Sequence, residues 1–240
     1  MSLQLDAHHP GTPLRSVRLM VDAGIVAITG LRTIPEAHAF AAEAMAEYAP
    51  MPVVPGPTGP RPHRRFTTAA PHRAKPPQLM LLAQLGIAMQ PAVFALADAR
   101  RALLHLNYRQ PWSLELLTDP DRWLRPDLGG PIVTAPAHQR ALLRLPAMAP
   151  TDLTPSERVV LTCLRRELGR RKRALALPPG HALLIDNHRY PTATVTGQLA
   201  TVAVVAGDRN EDGIEPGFPF PSSLLRSTPT SPGDRDELID

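Results

Sequence analysis

The most continuous apolar signal in the chain is Ala182-Leu-Leu-Ile185, hydrophobic on both faces and preceded by Leu175-Ala-Leu177 and Pro178-Pro-Gly180. The pattern predicts a short strand, a tight reversal and a second, buried strand. Pro178 and Pro179 fix φ, and Gly180 accepts the positive φ that closing the reversal needs. The second strand delivers Asp186, Asn187, His188 and Arg189 to its end, where polar groups either close a turn or meet a ligand. Strands are also predicted over 24–31, 130–134, 141–145 and 199–206. Thr33 caps a predicted helix over 36–49, with Pro35 in its first turn. Thr154-Pro-Ser-Glu157 is a capping box opening a helix with Val159, Val160, Cys163, Leu164 and Leu168 on one face. Leu79, Leu82 and Leu85 recur at helical spacing, so 79–89 and 92–104 read as two helical segments split at Pro91. The stretch 103–127 alternates in part and reads as strand. Residues 1–23, with Pro10, Gly11 and Pro13, are expected to begin without regular structure.

Nine prolines fall between residues 50 and 77. Proline lacks the N–H a ladder or helix needs, so this stretch reads as a surface loop. The alternative is a lid whose arginines, Arg64, Arg65 and Arg73, face an anionic group. With 240 residues and 43 % hydrophobic content, a single domain over 1–225 is expected, followed by a mobile tail over 226–240. No apolar run reaches the roughly 18 residues of a membrane helix. The N-terminus lacks a charged segment followed by an apolar core. The single cysteine, Cys163, excludes an intramolecular disulfide. No membrane partner and a cytoplasmic location are therefore expected. Net charge is +4 and the sequence pI about 9.8, but aromatics are only 4 %, so no nucleic-acid partner is expected. Arg165, Arg166 and the run Arg170–Arg173 read as the solvated face and end of a helix. The bias to arginine, alanine and proline suits a GC-rich bacterial genome.

The pattern Pro179-Gly-x-x-Leu-Leu-Ile-Asp-Asn-x-Arg189 resembles the C-terminal signature of the taurine dioxygenase and clavaminate synthase-like superfamily. Upstream, Ser113-Leu-Glu-Leu-Leu-Thr-Asp119 followed by Trp123-Leu-Arg-Pro-Asp127 is similar to the family's serine-containing strand, its His-Thr-Glu or His-Thr-Asp and its Arg-Pro-Asp. The resemblance implies a mainly β fold with flanking helices, a distorted double-stranded β-helix (jelly roll). It also implies Fe(II) and 2-oxoglutarate chemistry on two histidines and one carboxylate. Carried across, Asp119 takes the carboxylate position, Leu117 the first histidine position and Thr192 the second. Neither leucine nor threonine replaces an imidazole, so no metal and no cofactor are expected. Arg209 is the arginine nearest to the place where the family clamps 2-oxoglutarate.

Three functions follow from the resemblance. The first is a metal-independent enzyme or binder of a small polar metabolite, amino-acid derived, in bacterial natural-product biosynthesis. There Glu115, Asp119 and His188 are the catalytic candidates, and Asn187, Arg189 and Arg209 the ligand-binding ones. The second is an Fe(II)/2-oxoglutarate oxygenase with atypical ligands, such as Asp119 with His188 and His105. The third is a non-catalytic partner subunit that binds another protein.

Overall fold

In chain order, the computed structural model places β1 (Gln4–Asp6), α1 (Thr12–Ala23), β2 (Ile25–Thr29), α2 (Ile34–Met45) and β3 (Val54–Pro55). There follow β4 (Leu79–Gln84), β5 (Ala92–Leu96), α3 (Ala99–Arg109), α4 (Pro111–Thr118), β6 (Val133–Thr134) and β7 (Arg140–Leu143). The chain continues with α5 (Pro155–Arg170), β8 (Arg173–Leu177), β9 (His181–Asp186), β10 (Thr192–Thr196), β11 (Ala200–Val204) and β12 (Phe218–Pro219). The structure describes residues 4–45, 54–55, 65–68, 71, 76–84, 91–123, 125, 128–135, 139–196, 200–204 and 217–225.

The doubly apolar strand finds neighbours on both sides. β9 lies between β2 and β4 in a six-stranded sheet ordered β1-β2-β9-β4-β11-β3. All pairings in that sheet are antiparallel except β1 with β2. A three-stranded sheet, β10-β5-β8, faces it, and a second small sheet joins β12, β7 and β6. The Pro178-Pro-Gly180 reversal is present, and Gly180 has φ +77°. It does not make a hairpin: β8 pairs with β5 in the small sheet, while β9 crosses to the large one.

Three apolar clusters follow from this layering. One fills the space between the facing sheets: Met80, Leu82, Leu183 and Ile185 meet Phe94, Leu96 and Leu177. A second lies on the opposite face of the large sheet, where Leu79, Leu81, Ile28 and Leu184 pack on Val17 of α1 and Phe40 of α2. The third joins the outer side of the small sheet, through Ala95 and Ala193, to α3, α4, α5 and β7. Alternation along a strand explains the division: Phe94 and Leu96 point inward, so Ala95 points out. α5 is the helix its capping box announced. Glu157 N–H donates to Thr154 Oγ1 at 3.3 Å, and Thr154 N–H donates to Glu157 Oε2 at 2.8 Å.

Several expectations need correction. Residues 79–84 and 92–96 are strands, not helices; each is a short apolar run buried on both faces, where i, i+3 spacing arises without a helix. The helix expected up to 104 is present from Ala99, but 103–118, expected to be extended, continues as α3 and α4. Asp98 caps α3 by accepting the Arg101 N–H at 3.3 Å, and Pro111 starts α4. Ala99, Ala102, Leu103 and Leu106 then share one buried face at helical spacing. The N-terminal segment carries β1 and α1 rather than irregular chain. Within the proline-rich stretch, Pro55 of β3 pairs with Val202 at the sheet edge, a position that tolerates a missing donor. Residues 217–225 are tied to β7, with Phe218 and Phe220 buried. The expected tail over 226–240 lies outside the described residues. Among the described residues, no helix is long and apolar enough to cross a membrane.

Candidate functional site

β9 ends in a knot of buried polar groups. Asp186 Oδ1 accepts the N–H groups of His188 at 2.9 Å and Arg189 at 3.0 Å, closing a turn with its own side chain. Burial pushes the Asp186 carboxyl up to about 7, against those two donors, which favour the charged form. Asn187 is fully buried. Its N–H donates to the Gln78 carbonyl at 2.8 Å, and its Nδ2 to the Pro77 carbonyl at 2.7 Å. Gln78 in turn clasps Gly217, accepting the N–H at 2.6 Å and donating to the carbonyl at 3.3 Å.

His188 is also fully buried, with Nδ1 2.9 Å from the Leu143 carbonyl of β7. That contact assigns the proton to Nδ1. Burial pushes the imidazole down to about 4, so the ring is neutral near pH 7. Nε2 has no hydrogen-bond partner among the described residues. Arg189 lies 3.9 Å from Asp98 and stacks over Tyr190 at 5.2 Å. Its carbonyl accepts the Ala99 N–H that opens α3. The Asp-Asn-x-Arg signature thus binds β9 to the lead into β4, to β7 and to α3. Its polar groups are spent mainly on backbone.

Thr192, which stands at the second histidine position, begins β10. It exchanges both backbone hydrogen bonds with Thr67, each at 2.9 Å, and its other strand partner is Leu96. The chain facing Thr192 is therefore Phe66-Thr67-Thr68. Thr68 Oγ1 accepts the Leu145 N–H at 2.9 Å, and Thr67 Oγ1 donates to the Leu145 carbonyl at 2.9 Å. None of these residues offers an imidazole or a carboxylate. The proline-rich setting hid this segment, although Thr67-Thr68 is β-branched and suited to pairing.

The Leu117-Thr118-Asp119 triplet ends α4 instead of lying on that strand pair. Leu117 is fully buried. Asp119 caps the following turn, accepting the Asp121 N–H at 3.1 Å, and pairs with Arg122 at 3.0 Å. Glu115 sits on the exposed side of α4. His105 pairs with Glu167 at 2.9 Å between α3 and α5, and His181 Nδ1 lies 3.1 Å from the Pro179 carbonyl. Asp119, His188 and His105 thus have separate partners and form no cluster. Among the described residues, no group of three His, Cys, Asp or Glu side chains could hold a metal. Arg209, His63, His72 and His138 lie outside the described residues.

No protein-family model and no curated protein matches the sequence. Solved structures do match the fold. The crystal structure of AAD-2 in complex with Mn(II) and N-oxalylglycine has a TM-score of 0.64 at 15 % identity, covering 87 % of this chain and 97 % of that one. Asparagine oxygenase in complex with Fe(II), 2S,3S-3-hydroxyasparagine and succinate has a TM-score of 0.59 at 14 % identity, covering 85 % and 84 %. A taurine dioxygenase from Burkholderia xenovorans has a TM-score of 0.57 at 16 % identity, covering 86 % and 88 %. The chain therefore has the β-rich fold with flanking helices that the resemblance implied. The expectation of no cofactor is corrected by the same structures: proteins of this fold are solved with Mn(II) and N-oxalylglycine and with Fe(II) and succinate. The donor set at Leu117, Asp119 and Thr192 does not fit such a metal, because Leu117 has no donor atom, the Thr192 hydroxyl is a poor neutral ligand, and one carboxylate alone remains.

Proposed function

We propose, from the oxygenase-type fold, that this chain binds a small polar metabolite derived from an amino acid and has lost the metal histidines of the signature. The observation that carries the second part is Thr192, whose strand neighbours are Thr67 and Leu96. The two facing sheets are read as a distorted double-stranded β-helix. Support comes from the strand order, since β8, β9, β10 and β11 pass alternately between the small and the large sheet. The first part is supported by the company the fold keeps: an asparagine oxygenase bound to hydroxyasparagine, and an iron oxygenase bound to L-homoarginine. In this reading Asn187 and His188 hold the shape of the β9 exit. Glu115 and Asp119 remain the proton-transfer candidates, and Arg189 and Arg209 the anion contacts. A role in bacterial natural-product biosynthesis is part of the same proposal.

A second reading is an oxygenase whose metal sits on side chains other than those of the signature. The Mn(II), Fe(II) and N-oxalylglycine bound by proteins of this fold favour it. One preparation separates the two. Protein purified without oxygen is titrated calorimetrically with a panel of free amino acids, then with Fe(II) and 2-oxoglutarate, and assayed for succinate once oxygen is admitted. A saturable response to one amino-acid class supports the binding reading, and a flat panel overturns it. Stoichiometric metal with succinate release establishes the second reading.

A further inference from the structure

Behind the three-stranded sheet, on the side away from the large sheet, lies a cavity of about 440 Å³. Its floor is Val93, Ala95, Ala174 and Ala193, all on the strand faces opposite to Phe94, Leu96 and Leu175. Phe66 closes one wall. The rim is Arg65, Arg165 and Lys172, with no acidic residue among the described lining residues.

Two features mark this as a kept space. Arg165, Gly169 and Lys172 recur at i, i+4 and i+7 along α5 and just past its end, so they form one stripe over the sheet. Gly169 sits inside the helix, where glycine costs about 1 kcal/mol against alanine. Neither backbone nor packing asks for it: its φ is ordinary, and an added Cβ would meet nothing within 4 Å. Three of the four floor residues, Ala95, Ala174 and Ala193, are alanines on strands, where branched or aromatic side chains would pair better.

The charge also has no acidic partner among the described residues. Arg165 Nη2 donates to the Pro146 carbonyl at 2.8 Å, which fixes the guanidinium, while its Nε is buried without a hydrogen-bond partner. Burial, and then the like charge of Arg65, push the Arg165 pKa down, so this cation is held where an anion would relieve it. Arg65 and Lys172 make no ion pair among the described residues. Glu167, the acid nearest in sequence, is committed to Arg170, Arg171 and His105. The arginine run that reads from sequence as a solvated helix face is therefore divided. Arg170 and Arg171 serve Glu167, and Arg165 with Lys172 faces the cavity.

We propose that this cavity binds a small anion with an apolar body, an acyl or aryl carboxylate, its charge at Arg165 and Lys172 and its body over the alanine floor. The volume falls in the ordinary range for small-molecule sites. The site lies outside the space between the sheets, so it stands whichever reading of that space holds.

The test uses the full chain and three probes in calorimetry: octanoate, octanol and acetate. Octanoate is expected to bind saturably, with octanol and acetate each at least about tenfold weaker, because each lacks one half of the recognition. Arg165→Gln is expected to weaken octanoate about tenfold. Gly169→Leu is expected to abolish binding by filling the space while favouring the helix, with an unchanged or raised melting temperature. Thermal melts of both variants accompany the titrations. Equal octanoate affinity in wild type and Gly169→Leu would overturn the proposal, as would acetate or octanol binding as tightly as octanoate. An absence of any saturable octanoate response would do the same.

Discussion

Two regions of this molecule gather polar groups beside apolar strands, and they use them in opposite ways. At the exit of β9, Asp186, Asn187 and Gln78 are buried and their polar atoms are engaged by nearby backbone. Behind the small sheet, Arg65, Arg165 and Lys172 converge on open volume with no carboxylate among them. A buried polar group must be satisfied or it destabilises the fold, so the first region is bound by folding itself. Cations at the edge of a cavity stay partly hydrated and can wait for a partner. Sequence similarity pointed to the first region, whereas open volume and charge point to the second.

The sharpest way to break this contrast is to disturb the β9 exit and ask whether stability responds. Gly217, clasped by Gln78, has φ +80°, and an added Cβ would overlap the Ala141 carbonyl of β7. Backbone cannot yield cheaply there, so Gly217→Ala is expected to lose about 3 kcal/mol or more in urea denaturation. A loss below about 1 kcal/mol would mean that the clasp is not part of the folded unit.

Asn187→Ala comes next. It leaves the Pro77 carbonyl without its donor in a fully buried place, and is expected to cost about 2 kcal/mol. Lys172→Ala, on the cavity rim, is expected to change stability by less than about 0.5 kcal/mol. Equal costs at the two positions would erase the distinction between them.

How much of this could be read in the sequence depended on whether local pattern and tertiary surroundings agree. α5 was legible because its cap, its proline and its apolar face all favour one state. β9 was legible because an apolar run between a Pro-Gly turn and Asp-Asn suits only a buried strand. β4 and β5 were not, since short runs buried on both faces carry no alternation to mark them as strands. The site was less legible still. Asp119 and Thr192 matched a motif in order, but α4 turns Asp119 into a helix-end cap. The residues that do face Thr192 sit in a proline-rich stretch that reads as loop. The cavity depends on β5, α5, β8, β10 and the segment around Phe66, which are distant in sequence, so no local pattern reports it.

The effect most specific to the β9 exit concerns pH. Asp186 binds its proton more tightly in the folded protein, with a pKa of about 7 against 3.8. The unfolded chain therefore ionises first, and this group removes stability as pH rises from about 3.8 to about 7. His188 binds its proton less tightly when folded, with a pKa of about 4 against 6.5. It adds stability as pH rises from about 4 to about 6.5. The two oppose each other across that window, so the wild-type profile should be shallow. Asp186→Asn keeps an oxygen that can accept the His188 and Arg189 N–H groups, and removes only the falling contribution. Its stability is expected to climb between pH 4 and 6.5 and to exceed wild type at pH 7 by about 1 kcal/mol or more. Superimposable profiles in urea melts across that range would show that Asp186 is ionised in the folded state, and that its burial is relieved by a partner other than the two N–H groups.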